Sequence, residues 1–225
     1  MKFLKKNKIT RSIIIKIKKT MNNNLYDDLL PGEAILMPKQ ATAFNGDTFV
    51  AAEFLKLKQQ FNIKIAVELG SCVMGTTKWL AENFDKVITV EINPEFRNVG
   101  LQRIKPARNV TSMLGDSVNM LPAMLQMCDS TPIIFIDSHW QTLPLFDELN
   151  IIKASGLKPV IAIHDFLVPN EPLLGFDSYE GVDISFENIK PYIEAIYGVG
   201  GYSYYYNTAA TATEVKRGLC YIYAK

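Results

Sequence analysis

Hydrophobic and polar positions along this chain change period repeatedly. In GDTFVAAEFLKLKQQFN the apolar residues recur at helical spacing. Phe49, Ala52, Phe54, Leu55 and Leu57 are expected on one face, and Asp47 is placed to cap the start. From residue 63 onward, short apolar runs alternate with helix-period segments. IKIAVEL (63–69) predicts a strand and GTTKWLAENF (75–84) a helix. KVITVEI (86–92) predicts a strand, and PEFRNVGLQRI (94–104) a helix with Pro94 in its first turn. NVTSML (109–114) is a short strand, SVNMLPAMLQMC a helix and PIIFID (132–137) a strand. LPLFDELNIIKAS (143–155) is a helix closed by Gly156, and KPVIAIHD (158–165) is a fifth strand. A loop is expected over 166–183, then the helix SFENIKPYIEAIYG and two late strands, YSYYYN and GLCYIYAK.

The five alternating strands are continuous apolar runs, as expected when helices cover both faces of a sheet. That predicts an α/β fold: a doubly wound, mostly parallel, Rossmann-like seven-stranded sheet. The last two strands share a short connection, so an antiparallel strand is expected near the C-terminus. Three stretches divide the chain: a basic N-terminal arm (1–21), expected to be flexible; a lead-in segment and helix (22–62); and the main domain (63–225).

Charge sharpens this picture. The net charge of +1 conceals eight Lys/Arg and no acid within residues 1–20, leaving 16 basic against 23 acidic residues elsewhere. A body of that balance is not expected to bind nucleic acid. Three readings of the arm stand open: a frayed segment, an upstream extension with Met21 as an alternative start, or an anchor or targeting helix. Cys72, Cys128 and Cys220 form no CxxC or Cys/His cluster, which argues against zinc and suits a reducing, cytoplasmic compartment. No apolar run approaches the roughly 18 residues of a transmembrane segment. Assembly into a homo-oligomer is left open.

In a doubly wound sheet, ligands bind at the carboxyl ends of the strands. Here those ends carry Glu68, Gly70 and Ser71; Glu91; Asp116 and Ser117; Asp137 and His139; and His164 and Asp165. The first turn, VELGSCVMGTTKWL, resembles a dinucleotide fingerprint with Cys72 where the second glycine belongs. A side chain there obstructs the approach of a pyrophosphate. A nucleoside ligand without phosphates needs only the tight turn at Gly70 and a helix N-terminus for a carboxylate. Glu91, 23 residues after Glu68, is placed to accept both ribose hydroxyls. These requirements describe S-adenosylmethionine.

VELGSCVMGTTKWLA, VITVEIN, LGDS, IIFIDSHW and VIAIHDF together resemble the class I S-adenosylmethionine-dependent methyltransferases. More narrowly, they are similar to the small-molecule group that includes macrocin-type O-methyltransferases and cephalosporin-hydroxylase-like proteins. The resemblance covers roughly residues 60–165. It implies methyl transfer to a hydroxyl of a small molecule or sugar. It also implies that Glu68 serves the methionine ammonium, Gly70 and Ser71 line the methionine portion, Glu91 holds the ribose, and Asp116 and Ser117 meet the adenine. Two departures stand out. The first turn is one residue longer than usual before Gly75, and the fourth-strand motif, Asp137-Ser138-His139, is one residue short of Asp-Gly-Asp-His.

Asp137 and Asp165 end strands expected to be neighbours, about 4.8 Å apart. Two carboxylates that close repel unless a cation or proton lies between them. Oxygen donors on an open edge suit Mg²⁺ or Ca²⁺, and the resembled group binds substrate hydroxyls through such a metal. On that reading Asp137 and Asp165 are metal ligands, with Asp137 and His139 catalytic and His139 the base. Strand alternation points His164 and Asp165 to opposite faces, so His164 is expected to pack away from the cleft. Trp140 is expected at the cleft rim, Trp79 in the core and the YSYYYN tyrosines in sheet packing. Two rival functions remain: a nicotinamide-dependent oxidoreductase, which Cys72 disfavours, and a non-catalytic binding protein that keeps the fold.

Overall fold

The computed structural model describes residues 42–105, 107–208 and 216–225. The basic arm and the lead-in up to residue 41 lie outside the described residues. After a short turn at Ala43–Gly46, helix α1 (Thr48–Gln60) starts where the Asp47 carboxylate accepts from the N–H groups of Phe49 and Val50. Its buried face is Val50, Phe54 and Leu57, at i, i+4 and i+7. Phe49 and Leu55, expected on that face, are 42% and 38% exposed. The face is centred on Phe54, whose ring meets those of Phe44 (4.7 Å between centroids) and Trp79 (6.5 Å). Residues one position away are turned by about 100° around the helix.

Strands and helices then alternate as predicted: β1 (Ile65–Leu69), α2 (Gly75–Asn83), β2 (Lys86–Glu91), α3 (Pro94–Arg103) and β3 (Val110–Leu114). They continue with α4 (Ser117–Gln126), β4 (Ile133–Ile136), α5 (Leu145–Ser155) and β5 (Val160–Ile163). The stretch expected as a loop contains a small hairpin, β6 (Ser178–Tyr179) and β7 (Val182–Asp183), too short for a hydrophobic period to reveal. Helix α6 (Phe186–Tyr197) and strands β8 (Tyr202–Tyr206) and β9 (Cys220–Ala224) complete the chain. The seven-stranded sheet has the order β3-β2-β1-β4-β5-β9-β8. Strands β1 to β5 are parallel, and β9 runs antiparallel between β5 and β8.

Strand β1 explains why the runs are continuous. Ile65, Val67 and Leu69 enter a core with Leu121, Leu149 and Ile189, from α4, α5 and α6. Ala66 enters the opposite core with Phe44, Phe54, Leu57 and Leu80. Both faces are covered, so no position of β1 has water beside it. Each such large side chain contributes roughly 1.5–3 kcal/mol on burial. Tyr205 of β8 stacks on Tyr221 at 5.1 Å and its hydroxyl bonds Glu53, in keeping with a packing role for that strand. Among the described residues, no helix is long and apolar enough to cross a membrane.

The parallel ladders end together. Leu69 pairs with Val90 and Ile136, and Ile136 pairs with Ile163. Backbone bonds run one step further, from Gly70 N–H to Val90, Asp137 N–H to Leu69 and His164 N–H to Ile136. The polar residues that follow each strand therefore share one rim.

Candidate active site

The loop after β1 is built on left-handed backbone. Gly70 has φ +86°, and a Cβ there would lie 2.3 Å from the Asp137 carbonyl oxygen. Glycine is required twice over, by conformation and by contact. Cys72 (φ 48°) and Met74 (φ 61°) are also left-handed, each at a cost of about 1 kcal/mol or more. Hydrogen bonds hold this shape. Gly70 and Ser71 N–H both donate to the Val90 carbonyl at 3.1 Å, and Met74 N–H donates to the Ser71 carbonyl at 2.7 Å. Cys72 N–H donates to Glu91 Oε2 at 2.6 Å, while Glu91 Oε1 accepts from Asn93 N–H at 2.8 Å. Burial pushes the Glu91 carboxyl up, against the pull of these N–H groups. The Ser71 hydroxyl oxygen is buried with no hydrogen-bond partner.

Glu68 lies beneath this loop, 1% exposed. Its Oε2 accepts from the hydroxyls of Thr77 (2.5 Å) and Thr89 (2.6 Å). Burial raises its pKa to about 7, with further upward pressure from the Asp137 and Glu91 charges and a downward pull from the two threonines. Asp116 caps α4, its Oδ1 accepting from Asn119 N–H at 3.2 Å. Ser117 is buried beside it. A residue the sequence reading passed over joins them. Glu148, in the first turn of α5, is fully buried, accepts from the Ser138 hydroxyl at 2.6 Å and has its pKa raised by burial. In sequence it looks like any solvated acid at a helix start, and only its packing distinguishes it.

The ends of β4 and β5 gather a charged cluster. His139 Nε2 lies 3.1 Å from Asp165 Oδ2 and 3.9 Å from Asp137 Oδ1. Its Nδ1 is buried and unpartnered. Contrary to expectation, His164 belongs to the same cluster. Its Nδ1 is 3.3 Å from Asp137 Oδ1 and 3.2 Å from Asp165 Oδ1, as ion-pair contacts rather than aligned hydrogen bonds. The alternation argument fails because Asp165 has φ 54°: the strand has ended and the chain has turned, so consecutive side chains meet. Burial would lower the pKa of His164, but the Asp165 and Asp137 carboxylates hold it well above the usual histidine range. Burial would raise Asp165, yet His164, His139 and Arg217 hold it well below the usual carboxylate range.

Three members of the cluster come from distant sequence. Arg217 donates from Nε to Asp165 Oδ1 and from Nη2 to Asp177 Oδ1. Tyr179, in the unforeseen hairpin, donates its hydroxyl to the His139 carbonyl at 2.9 Å and lies 3.3 Å from Asp177 Oδ2. Of the two strand-end acids Asp137 is the more open, its side chain 28% exposed against 13% for Asp165. Trp140, at the rim as expected, is 76% exposed.

Two ligands can be tested against these residues. Asp137, His164 and Asp165 offer donor atoms within 4.8 Å of one another, as do His139, Asp165 and Asp177. Both sets include Asp165, which Arg217 already holds, and both include a histidine. Mg²⁺ and Ca²⁺ prefer all-oxygen surroundings, so sets that contain a histidine and a carboxylate already engaged by Arg217 suit them poorly. S-adenosylmethionine fits better. The unpartnered Ser71 oxygen lies on the loop after β1, and the Glu91 carboxylate at the end of β2 meets that loop at Cys72.

The strand order and the antiparallel β9 give a fold shared with solved S-adenosylmethionine-dependent methyltransferases. No protein-family model matches the sequence, and no curated protein matches it. Solved structures do match. The O-methyltransferase TomG from Streptomyces achromogenes, involved in tomaymycin synthesis and crystallised with S-adenosylmethionine, aligns with a TM-score of 0.56 at 16% identity. The alignment covers 95% of this chain and 96% of that one. An O-methyltransferase from Bacillus cereus, in complex with S-adenosylhomocysteine, gives a TM-score of 0.53 at 19% identity, covering 96% of this chain and 91% of that one. At such identities the likeness is one of fold.

Proposed function

We propose that this protein transfers the methyl group of S-adenosylmethionine to a hydroxyl of a small molecule or sugar. One observation carries the choice of ligand. The Cys72 N–H, which a dinucleotide site would aim at pyrophosphate, is held instead by the Glu91 carboxylate at 2.6 Å. An anion at that point repels phosphate and favours a ligand that brings hydroxyls. This disfavours the nicotinamide reading on geometry as well as on residue type.

Glu91 accepts the ribose hydroxyls, and Ser71 supplies the hydrogen bond its buried oxygen lacks. Glu68 acts on the amino-acid end through its charge, from beneath the loop. Asp116 and Ser117 meet the base. When bound, S-adenosylmethionine would supply a sulfonium-activated methyl group. Asp137, the more open of the two strand-end acids, accepts the acceptor's hydroxyl proton and releases it to solvent. His139 stands behind it, oriented by Asp165, so the geometry supports a positioning role rather than first contact with the hydroxyl. Alignment of oxygen, methyl and sulfur supplies most of the remaining rate.

The test is calorimetric titration of S-adenosylmethionine and S-adenosylhomocysteine into the wild-type protein and into Glu91→Ala. Micromolar binding by the wild type, weakened in the variant, is the expected result. Absence of heat with both ligands, together with quenching of NADH fluorescence, would sink the reading in favour of the oxidoreductase.

A further inference from the structure

The carboxylates at the ends of β4 and β5 need positive charge, and the chain supplies it internally. Asp137, Asp165 and Asp177 converge with Arg217 and His164. A guanidinium is permanently charged and presents its donors in a rigid fork. Here one arm of the fork takes Asp165 Oδ1 and the other takes Asp177 Oδ1. The Arg217 backbone is fixed in turn. Gly175 N–H donates to the Lys216 carbonyl at 2.7 Å, Gly218 N–H donates to the Gly175 carbonyl at 2.9 Å, and Asn207 Nδ2 donates to the Arg217 carbonyl at 2.8 Å. Room for the fork depends on Gly175, where a Cβ would lie 2.9 Å from Arg217 Nη1.

We propose that the Arg217 guanidinium occupies the place a divalent cation would take, so that the site works without a metal. Asp165 is the hinge of the argument. Its Oδ1 holds Arg217 and lies 3.2 Å from His164, and its Oδ2 lies 3.1 Å from His139. An incoming cation has to displace one of these partners and then sit beside the positive charge that remains. Both candidate donor sets share this carboxylate, so neither escapes the competition. The inference deepens the methyl-transfer reading and rests on it for its catalytic meaning. Without a metal to chelate two adjacent hydroxyls, the acceptor needs only one hydroxyl, presented to Asp137.

The experiment is calorimetric titration of MgCl₂ and of MnCl₂ into the full chain after EDTA treatment and desalting, for the wild type, Arg217→Gln and Asp165→Asn. The expected result is no uptake by the wild type at micromolar concentrations. In Arg217→Gln, Asp165 and Asp177 lose their guanidinium, and one equivalent binds tighter than in the wild type by about tenfold or more. Uptake of one equivalent by the wild type, abolished in Asp165→Asn, overturns the proposal. So does a folded Arg217→Gln that takes up no ion. Should Arg217→Gln fail to fold, the wild-type titration decides, because the proposal requires it to be silent. Titration of S-adenosylhomocysteine into the same metal-free wild type reports separately on the methyl-transfer reading. A loss there leaves the metal result to be judged on its own.

Discussion

Glu68 makes stability and ligand affinity depend on pH in a direction unusual for an acid. Its carboxyl is buried and its pKa stands at about 7, against an ordinary 4.5. The folded chain therefore holds this proton more tightly than the unfolded chain does. Below pH 4.5 both states are protonated and the group contributes nothing. As pH rises from 4.5 to about 7 the unfolded state ionises first, and folding loses stability progressively. Above that range the full cost stands. A rise from 4.5 to about 7 corresponds to roughly 3 kcal/mol. At about 2–4 °C per kcal/mol, that is on the order of 8 °C in melting temperature. Glu68→Gln keeps an acceptor for Thr77 and Thr89 and removes the ionisation. The variant is expected to match the wild type near pH 5 and to melt several degrees higher at pH 8. Cofactor affinity should move the other way. A bound ammonium favours the ionised acid, so S-adenosylhomocysteine should bind the wild type more tightly as pH rises, and the variant should lack that trend. The assay is thermal melting and calorimetry across pH 5–8. Parallel melting curves for the two proteins at every pH would refute the reasoning.

Three further outcomes test other parts of the rim. Gly70→Ala places a methyl group 2.3 Å from the Asp137 carbonyl at a left-handed position, and should cost about 2–4 kcal/mol by urea denaturation. Glu91→Ala strips the acceptor from Cys72 and Asn93 N–H, and should weaken S-adenosylhomocysteine binding by roughly tenfold or more in calorimetry. Asp137→Asn should leave that binding within about twofold while lowering methyl transfer by about 10²-fold or more, once an acceptor is found, in a radiolabelled-methyl assay.

Much of this arrangement can be read in advance from the chain. Continuous apolar runs identify the five parallel strands because both of their faces are covered, and the polar residue after each run then falls on one rim. What resists reading is what depends on backbone turning or on distance along the chain. His164 is misplaced by a period-two argument that stops applying one residue too soon, at the left-handed Asp165. Arg217 lies 52 residues from the carboxylate it holds, and no local pattern announces that pairing. Glu148 has the sequence of a surface helix start, and its burial arises from α5 packing over Ser138. Glu91 is read from the sequence as a ribose acceptor; its hold on the Cys72 N–H requires the geometry of the loop.

The left-handed backbone of Asp165 restricts how this position can vary in descendants of the chain. A φ of 54° is tolerated chiefly by Asn, Asp and Gly. Of these three, only Asp carries the charge that Arg217, His164 and His139 all address. A copy of this protein released from selection for its present chemistry would thus drift at residue 165 toward Asn or Gly, keeping its shape while losing its charge. Asn or Gly at that one position, in an otherwise well-folded relative, would mark a protein that retains the architecture and has left the reaction.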